Sequence, residues 1–521
     1  MEAELAAARE RPAKRRTKGT SARLDDEILD DCEQSFVAAQ EKVTKASKNY
    51  YADTGLMALI CRHDRVLWVA NMTTPGERQH YALVLIRALA RELPSNWNIG
   101  LLYDIACQLS RSIEKWQLLP NIANRLTFAV SVFHAYGHQW PCQIVFHPRK
   151  RDGFGLSDGE GCERFWSAIR HLISCLRVSG FRRRLFLLDR QMQALDELHA
   201  WKLGQWLCKR YLAAQRRLAE ANDLIRGSEE TEIELGRQWE EQVKAQLTKL
   251  PRQSQTAADK MIEKILLALG TIDDLKQEIK QDRKELRKSH KLSPAETQKI
   301  TSRIDAAQEE IDATQIKIES MNEALGTEHC RRLEAMRGNE YLRVRVNARA
   351  LRAKIRQSLV AHKFEHRKLE RAYRHQAKEH SQTKDLVHRR ERNITAQVRK
   401  FNGYVDQMGL LARQGKKPPG KIRLPRKLDI KKLFKLDVDD HIWQEDPGLG
   451  PQGEKDLPRY LSDGNVQRGI AGLLEKRRCQ EEMERIEVEV DALGVWCAEE
   501  TAALSHRQDD VTGLFWQLSM T

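Results

Sequence analysis

The chain has 521 residues, with 89 Lys and Arg against 74 Asp and Glu, a formal charge of +15, 41% hydrophobic residues and only 6% aromatic ones. That length and that polar excess exclude a single compact globule and call for long solvated segments beside a core. No run approaches the roughly 18–20 apolar residues of a membrane span, no apolar leader follows Met1, and the ten cysteines form no CxxC pair, so a soluble protein of a reducing compartment, away from membranes, is expected.

Residues 1–34 combine Lys14-Arg15-Arg16 and Lys18 with the acids Asp25, Asp26, Asp30 and Asp31. A disordered arm is expected, its basic cluster a candidate nuclear-import signal that would place the protein in the nucleus.

Residues 35–206 hold apolar runs of strand length between helical patterns and form the expected globular part. Gly55–Cys61 and Arg65–Asn71 flank Arg62-His63-Asp64 and predict a hairpin. Thr74-Pro75-Gly76-Glu77 has the composition of a helix start, with a stop near Pro94. A buried strand Ile99–Asp104, a helix over 106–117, a strand Phe128–Phe133, a polar loop rich in Gly and His, and a long helix from Asp158 follow. This order is that of a ribonuclease-H-like α/β domain from its second strand onward.

Residues 207–330 contain a seven-residue repeat, Ile265, Ile272, Ile279 and Leu286, then Ile304, Ile311, Ile318 and Leu325. Between the two seams Ser293-Pro294-Ala-Glu296 supplies a helix cap, so an antiparallel coiled-coil hairpin is predicted, with arms of about 45 Å at 1.5 Å per residue. The alternative is that a seam pairs with a second copy and makes a homo-oligomer. Residues 331–435 carry about +22 and read as basic helix, whereas residues 436–521 return to about −11 and end in a helix from about Val466 to Leu504. The basic segment suits DNA, with binding that weakens steeply in salt, unless the acidic tail neutralises it within the chain.

Phosphoryl transfer with two metal ions needs carboxylates from separate elements, and Asp104 at a strand end with Glu160 or Glu163 at a helix start fits that demand with hard oxygen ligands for Mg²⁺ or Mn²⁺. The plainer alternatives are helix caps at Asp104 and Asp158 and ion pairs at Glu163 and Arg164. Cys61 and His63 with His138 and Cys142 are a candidate structural Zn²⁺ set if the hairpin end meets the loop after the Phe128 strand. Neither a nucleotide-binding P-loop nor a nucleophile elbow occurs.

The runs Asp53–Asp64, Leu102-Tyr-Asp-Ile-Ala-Cys-Gln108, Phe133-His-Ala-Tyr-Gly-His-Gln-Trp-Pro-Cys-Gln143 and Gly155-Leu-Ser-Asp-Gly-Glu-Gly-Cys-Glu-Arg-Phe-Trp166 resemble the Kyakuja-Dileera-Zisupton (KDZ) transposases. Tyr341–Leu351 and Leu436–Trp443 resemble the C-terminal extension of members associated with a cysteine-cluster (CxC) domain. The resemblance implies a ribonuclease-H-like transposase that cuts and joins DNA with a metal-bound acidic triad. Asp104 then matches the second acid and Glu160 the last, with Glu163 the alternative. The family's first acid, in an Asp-Gly-Asn-Phe-like run upstream, has no counterpart here, and neither has the cysteine cluster. The expectation is therefore a truncated or degenerate copy with an incomplete core, lacking the first strand and inactive as written, unless Asp53 or Asp64 substitutes. A non-catalytic DNA-binding or coiled-coil scaffolding protein is the alternative.

Overall fold

The computed structural model describes residues 53–74, 78–247, 257–287, 293–323, 339–372, 377–417, 423–434, 440–444, 446–449 and 458–519, with the single positions 6, 7, 24, 26, 29, 30, 32, 333 and 436. The basic cluster at 14–18, the Pro75–Glu77 helix start and most of the 1–34 arm lie outside those residues. The described chain is mostly helical with a small α/β region, and it divides into two units, residues 1–248 with 463–521, and residues 249–462.

In the first unit, β1 (Gly55–Ile60) and β2 (Val66–Met72) pair antiparallel from Gly55 opposite Met72 to Ile60 opposite Val66. The turn between them rests on Asp64 at φ +64°, a left-handed position that Asp tolerates better than most residues. Helix α1 (Gln79–Glu92) follows, then β3 (Ile99–Leu102), α2 (Ala106–Trp116) and β4 (Leu126–Ala129). β3 and β4 are parallel, with Leu102 opposite Ala129. Among the described residues the strands make two separate two-stranded sheets.

The strand expected over 128–133 ends at Ala129, because Ser131 and Val132 turn away to bond Asp104 and the Asp158 carbonyl and His134–Gly137 coils into a 3-10 turn. The helix expected from Asp158 is also broken. After α3 (Trp140–Phe146), α4 (Gly161–Ile169) and α5 (Ile173–Arg177) take its place as short helices, and the long helix is α6 (Phe181–Arg226), which starts only after Gly180. α6 is continuous through residue 206, and α7 (Glu232–Gln246) follows it.

The main core gathers Leu83, Ile86, Leu109, Phe128 and Ile144, joined by Leu24, Leu29 and Cys32 from the N-terminal arm. Gln108 on α2 donates to the Leu29 carbonyl and Arg111 pairs with Asp30 at 2.5 Å, so Leu29 and Asp30 are docked on α2. A second cluster of Phe165, Ile169 and Leu188 covers Leu56, Ala58, Ile60 and Val66 of the hairpin. The C-terminal helix, α13 (Gly464–Ser519), returns to this unit and packs along α6 and α7. Gly472 permits the approach, since a Cβ there would stand 2.9 Å from both the Ala221 carbonyl oxygen and Leu224 Cβ. The acids of α13 are engaged here: Glu475 with Arg217, Glu482 with Arg62 and Arg210, and Glu489 with Arg62.

The second unit is helical. α8 (Ala257–Leu286) and α9 (Pro294–Glu323) bury Ile265, Ile272, Ile279, Ile311 and Ile318 in one cluster within a single chain. Ser293 and Glu296 form the expected reciprocal cap, Glu296 accepting from the Ser293 amide at 2.9 Å and donating its own amide to Ser293 Oγ at 3.3 Å. The basic segment forms α10 (Glu340–Ala372) and α11 (Ala377–Arg413). These run antiparallel, with His362 bonded to Glu391 and Gln407 to Glu340. Part of the positive charge faces inward: Arg352 is 3% exposed and pairs with Asp446 at 3.0 Å, and Lys363 donates to the Leu436 carbonyl. A short helix, α12 (Arg459–Ser462), ends the unit.

Candidate metal centre

Just past the last pair of the parallel strands, Leu102 opposite Ala129, the two chains bring Asp104 and Ser131 together. Ser131 Oγ donates to Asp104 Oδ1 at 2.6 Å, and His134 Nδ1 lies 2.9 Å from the same oxygen. Asp104 is half-buried. Burial by itself would raise its carboxyl, but the His134 and Ser131 side chains hold it below the ordinary carboxylate value. It is not a helix cap, because α2 starts from Ile105.

The Asp158–Glu163 run is brought to these strand ends by a glycine. Gly159 has φ +74°, and a Cβ on it would meet Ser131 Cβ at 2.9 Å and Leu102 Cβ at 3.0 Å. The Val132 amide donates to the Asp158 carbonyl at 2.9 Å, tying the two loops together. Asp158 Oδ1 accepts the Glu160 amide, and its carboxylate also pairs with Arg164.

The two glutamates then diverge. Glu160 is 8% exposed, and its Oε1 accepts the Phe133 amide at 3.1 Å. Glu163, in the first turn of α4, joins Asp104 and His134 in a group whose ligand atoms all lie within 4.8 Å of one another. Glu160 is not in that group. Asp53 pairs with Arg184 at 2.8 Å and Asp64 with Arg164 at 2.5 Å, so both are engaged elsewhere. The donor set of two carboxylates and an imidazole suits one divalent cation. His134, which the sequence reading passed over as part of a polar loop, is its third member.

The four residues considered for zinc separate into two places. Cys61 lies 3.8 Å from His63 Nδ1, and His63 turns its other nitrogen to Glu489 at 3.3 Å and its ring edge to Trp206. Burial would lower the His63 imidazole, yet Cys61 and Glu489 together push it up to about 9. His138 and Cys142 stay together, 3.4 Å apart, but their neighbours are Cys107 and Cys32.

Residues 3–196 match the family model described as Kyakuja-Dileera-Zisupton transposase. Comparisons with curated proteins and with solved structures found no match. The matched residues contain β1 to β4, Asp104, His134 and both glutamates, and over residues 3–196 the chain is related to the KDZ transposases.

Proposed function

We propose that this chain is a transposase-derived DNA-binding protein that holds one divalent cation between Asp104, His134 and Glu163, and that the 521-residue chain binds DNA without cutting it. The convergence of those three side chains at the ends of β3 and β4 carries the reading. An imidazole among the ligands favours Mn²⁺ over Mg²⁺. Such an ion would supply charge neutralisation at a phosphodiester oxygen and a more acidic bound water. Asp104 and Glu163 would hold it, and Ser131 would fix the Asp104 rotamer. Two-metal strand cleavage needs a further carboxylate, and Asp53 and Asp64 are committed to arginines.

The parallel β3–β4 pair, with an acid just past β3 and a helix after each strand, supports reading this region as ribonuclease-H-like. The shared isoleucine cluster and the Arg303–Asp282 ion pair at 2.7 Å support reading α8 and α9 as an antiparallel coiled-coil hairpin.

DNA contact is assigned to α11, where Arg389, Arg392, Arg399 and Lys400 are exposed. Replacing Arg389, Arg392 and Arg399 by Ala should weaken duplex binding, measured by fluorescence anisotropy. It should also lower the slope of log affinity against log salt by up to about 3, since each phosphate contact contributes roughly 0.9. An unchanged slope refutes the assignment. Incubation of labelled duplex with the protein and Mn²⁺ should leave the DNA intact, and cleavage that disappears in Asp104→Asn would overturn the claim that the chain does not cut.

A further inference from the structure

Cys32 of the N-terminal arm, Cys107 on α2, and His138 and Cys142 of one run that ends the 3-10 turn and opens α3 come from three stretches of chain and meet in one place. Cys32, Cys107 and Cys142 are all buried, at 5%, 1% and 0% exposure. The ligand atoms of Cys32, His138 and Cys142 lie within 4.8 Å of one another. Cys107 stands outside that group, but its Sγ is 3.6 Å from His138 Nδ1, the nitrogen that Cys142 also faces.

The tautomer of His138 is set by its surroundings. Its Nε2–H donates to the Asp104 backbone carbonyl at 2.9 Å. That leaves Nδ1 with a lone pair directed at the sulfurs, the arrangement in which a metal-bound histidine is held by a backbone carbonyl behind it. The distances also fit. Zn–S of about 2.3 Å and Zn–N of about 2.0 Å at the tetrahedral angle put N and S about 3.5 Å apart, against 3.4 Å to Cys142 and 3.6 Å to Cys107. Three thiols around one imidazole nitrogen exceed what hydrogen bonding uses, since that lone pair accepts one S–H.

We propose that Cys32, Cys107, His138 and Cys142 form a structural Cys₃His zinc site, separate from the Asp104 centre and joined to it through the His138 to Asp104 carbonyl bond. Four protein ligands and no open position make it a structural site. It fastens Cys32 to α2 and α3, alongside the docked Leu24 and Leu29. Cys61 and His63 have no part in it.

The test is elemental analysis of the full-length protein purified without added metal, with Co²⁺ substitution as a second readout. About one zinc per chain is expected, and the Co²⁺ form should show sulfur-to-metal charge transfer with the intensity of three thiolates. Cys32→Ser, Cys107→Ser, His138→Ala and Cys142→Ser should each lose the zinc, while Cys61→Ser and Asp104→Asn should keep it. Asp104→Asn retains the backbone carbonyl that orients His138, so zinc lost in that variant would contradict the separation of the two sites. Wild-type protein free of zinc, a Co²⁺ form without thiolate charge transfer, or full zinc in any of the four ligand variants overturns the proposal. Thiol counting on the chelated, unfolded wild type covers the remaining alternative: all three cysteines of the site should be free, and a disulfide between any two of them refutes the site.

Discussion

Glu482 offers a direct test of how the C-terminal helix is held. Its side chain is 0% exposed and accepts from Arg62 at 2.7 Å, from Arg210 at 3.0 Å and from the Leu156 amide at 3.0 Å. Glu482→Ala strands two guanidinium groups that are 16% and 29% exposed and leaves the Leu156 amide without that acceptor. Removing one member of a buried ion pair costs about 3–5 kcal/mol. Arg62 keeps Glu489 at 3.0 Å and Arg210 keeps the Leu156 carbonyl at 3.0 Å, which places the loss at the lower end. About 3 kcal/mol corresponds to opening of α13 that is more than a hundredfold more frequent. Hydrogen exchange with mass spectrometry on peptides from residues 470–495 reads this opening without requiring that both units unfold together. Glu482→Gln keeps the volume and an acceptor for the Leu156 amide, so its loss should be about 1–2 kcal/mol. Exchange in Glu482→Ala within threefold of wild type, or a Glu482→Gln variant as impaired as Glu482→Ala, would refute the reasoning.

Two further outcomes are expected. His63 is raised from 6.5 to about 9 by Cys61 and Glu489, so the folded state binds its proton more tightly than the unfolded state does. Its stabilisation is complete below pH 6.5 and fades as the pH rises through 9; the protection of α13 should fall over that interval, and His63→Gln should flatten the decline. In the second unit, Ile311 is 3% exposed in the α8–α9 cluster, and Ile311→Ala should destabilise the unit by about 3 kcal/mol, read as a lower denaturation midpoint by circular dichroism.

What could be read from residues alone was local. The β1–β2 hairpin was legible because two apolar runs flank a short polar turn, and the Ser293–Glu296 cap because its two partners are three residues apart. The isoleucine seams were legible from their period, and the structure buries them within one chain. What was missed depends on contacts between distant residues. Cys32 sits in a stretch whose composition reads as disordered, and only its packing under α2 brings it to Cys142, 110 positions later. His134 enters the carboxylate group through the turn at Ser131, which cut short the expected strand. The return of α13 to α6 left only a weak trace, in Gly469 and Gly472, where a Cβ would collide with α6, α7 or the turn between them. Glu160 and Glu163 face different neighbours because Glu160 accepts the Phe133 amide, a bond that spacing does not encode. Cys107 was the nearest to being found, three residues after Asp104 in a run already singled out.

The central claim is that Asp104, His134 and Glu163 hold a divalent cation. Calorimetric titration of Mn²⁺ into the full-length protein tests it most directly. One site is predicted in the wild type, lost in Asp104→Asn and in Glu163→Gln, and retained in Glu160→Gln, where the amide side chain still accepts the Phe133 N–H. Binding that survives Glu163→Gln and disappears in Glu160→Gln would contradict the account.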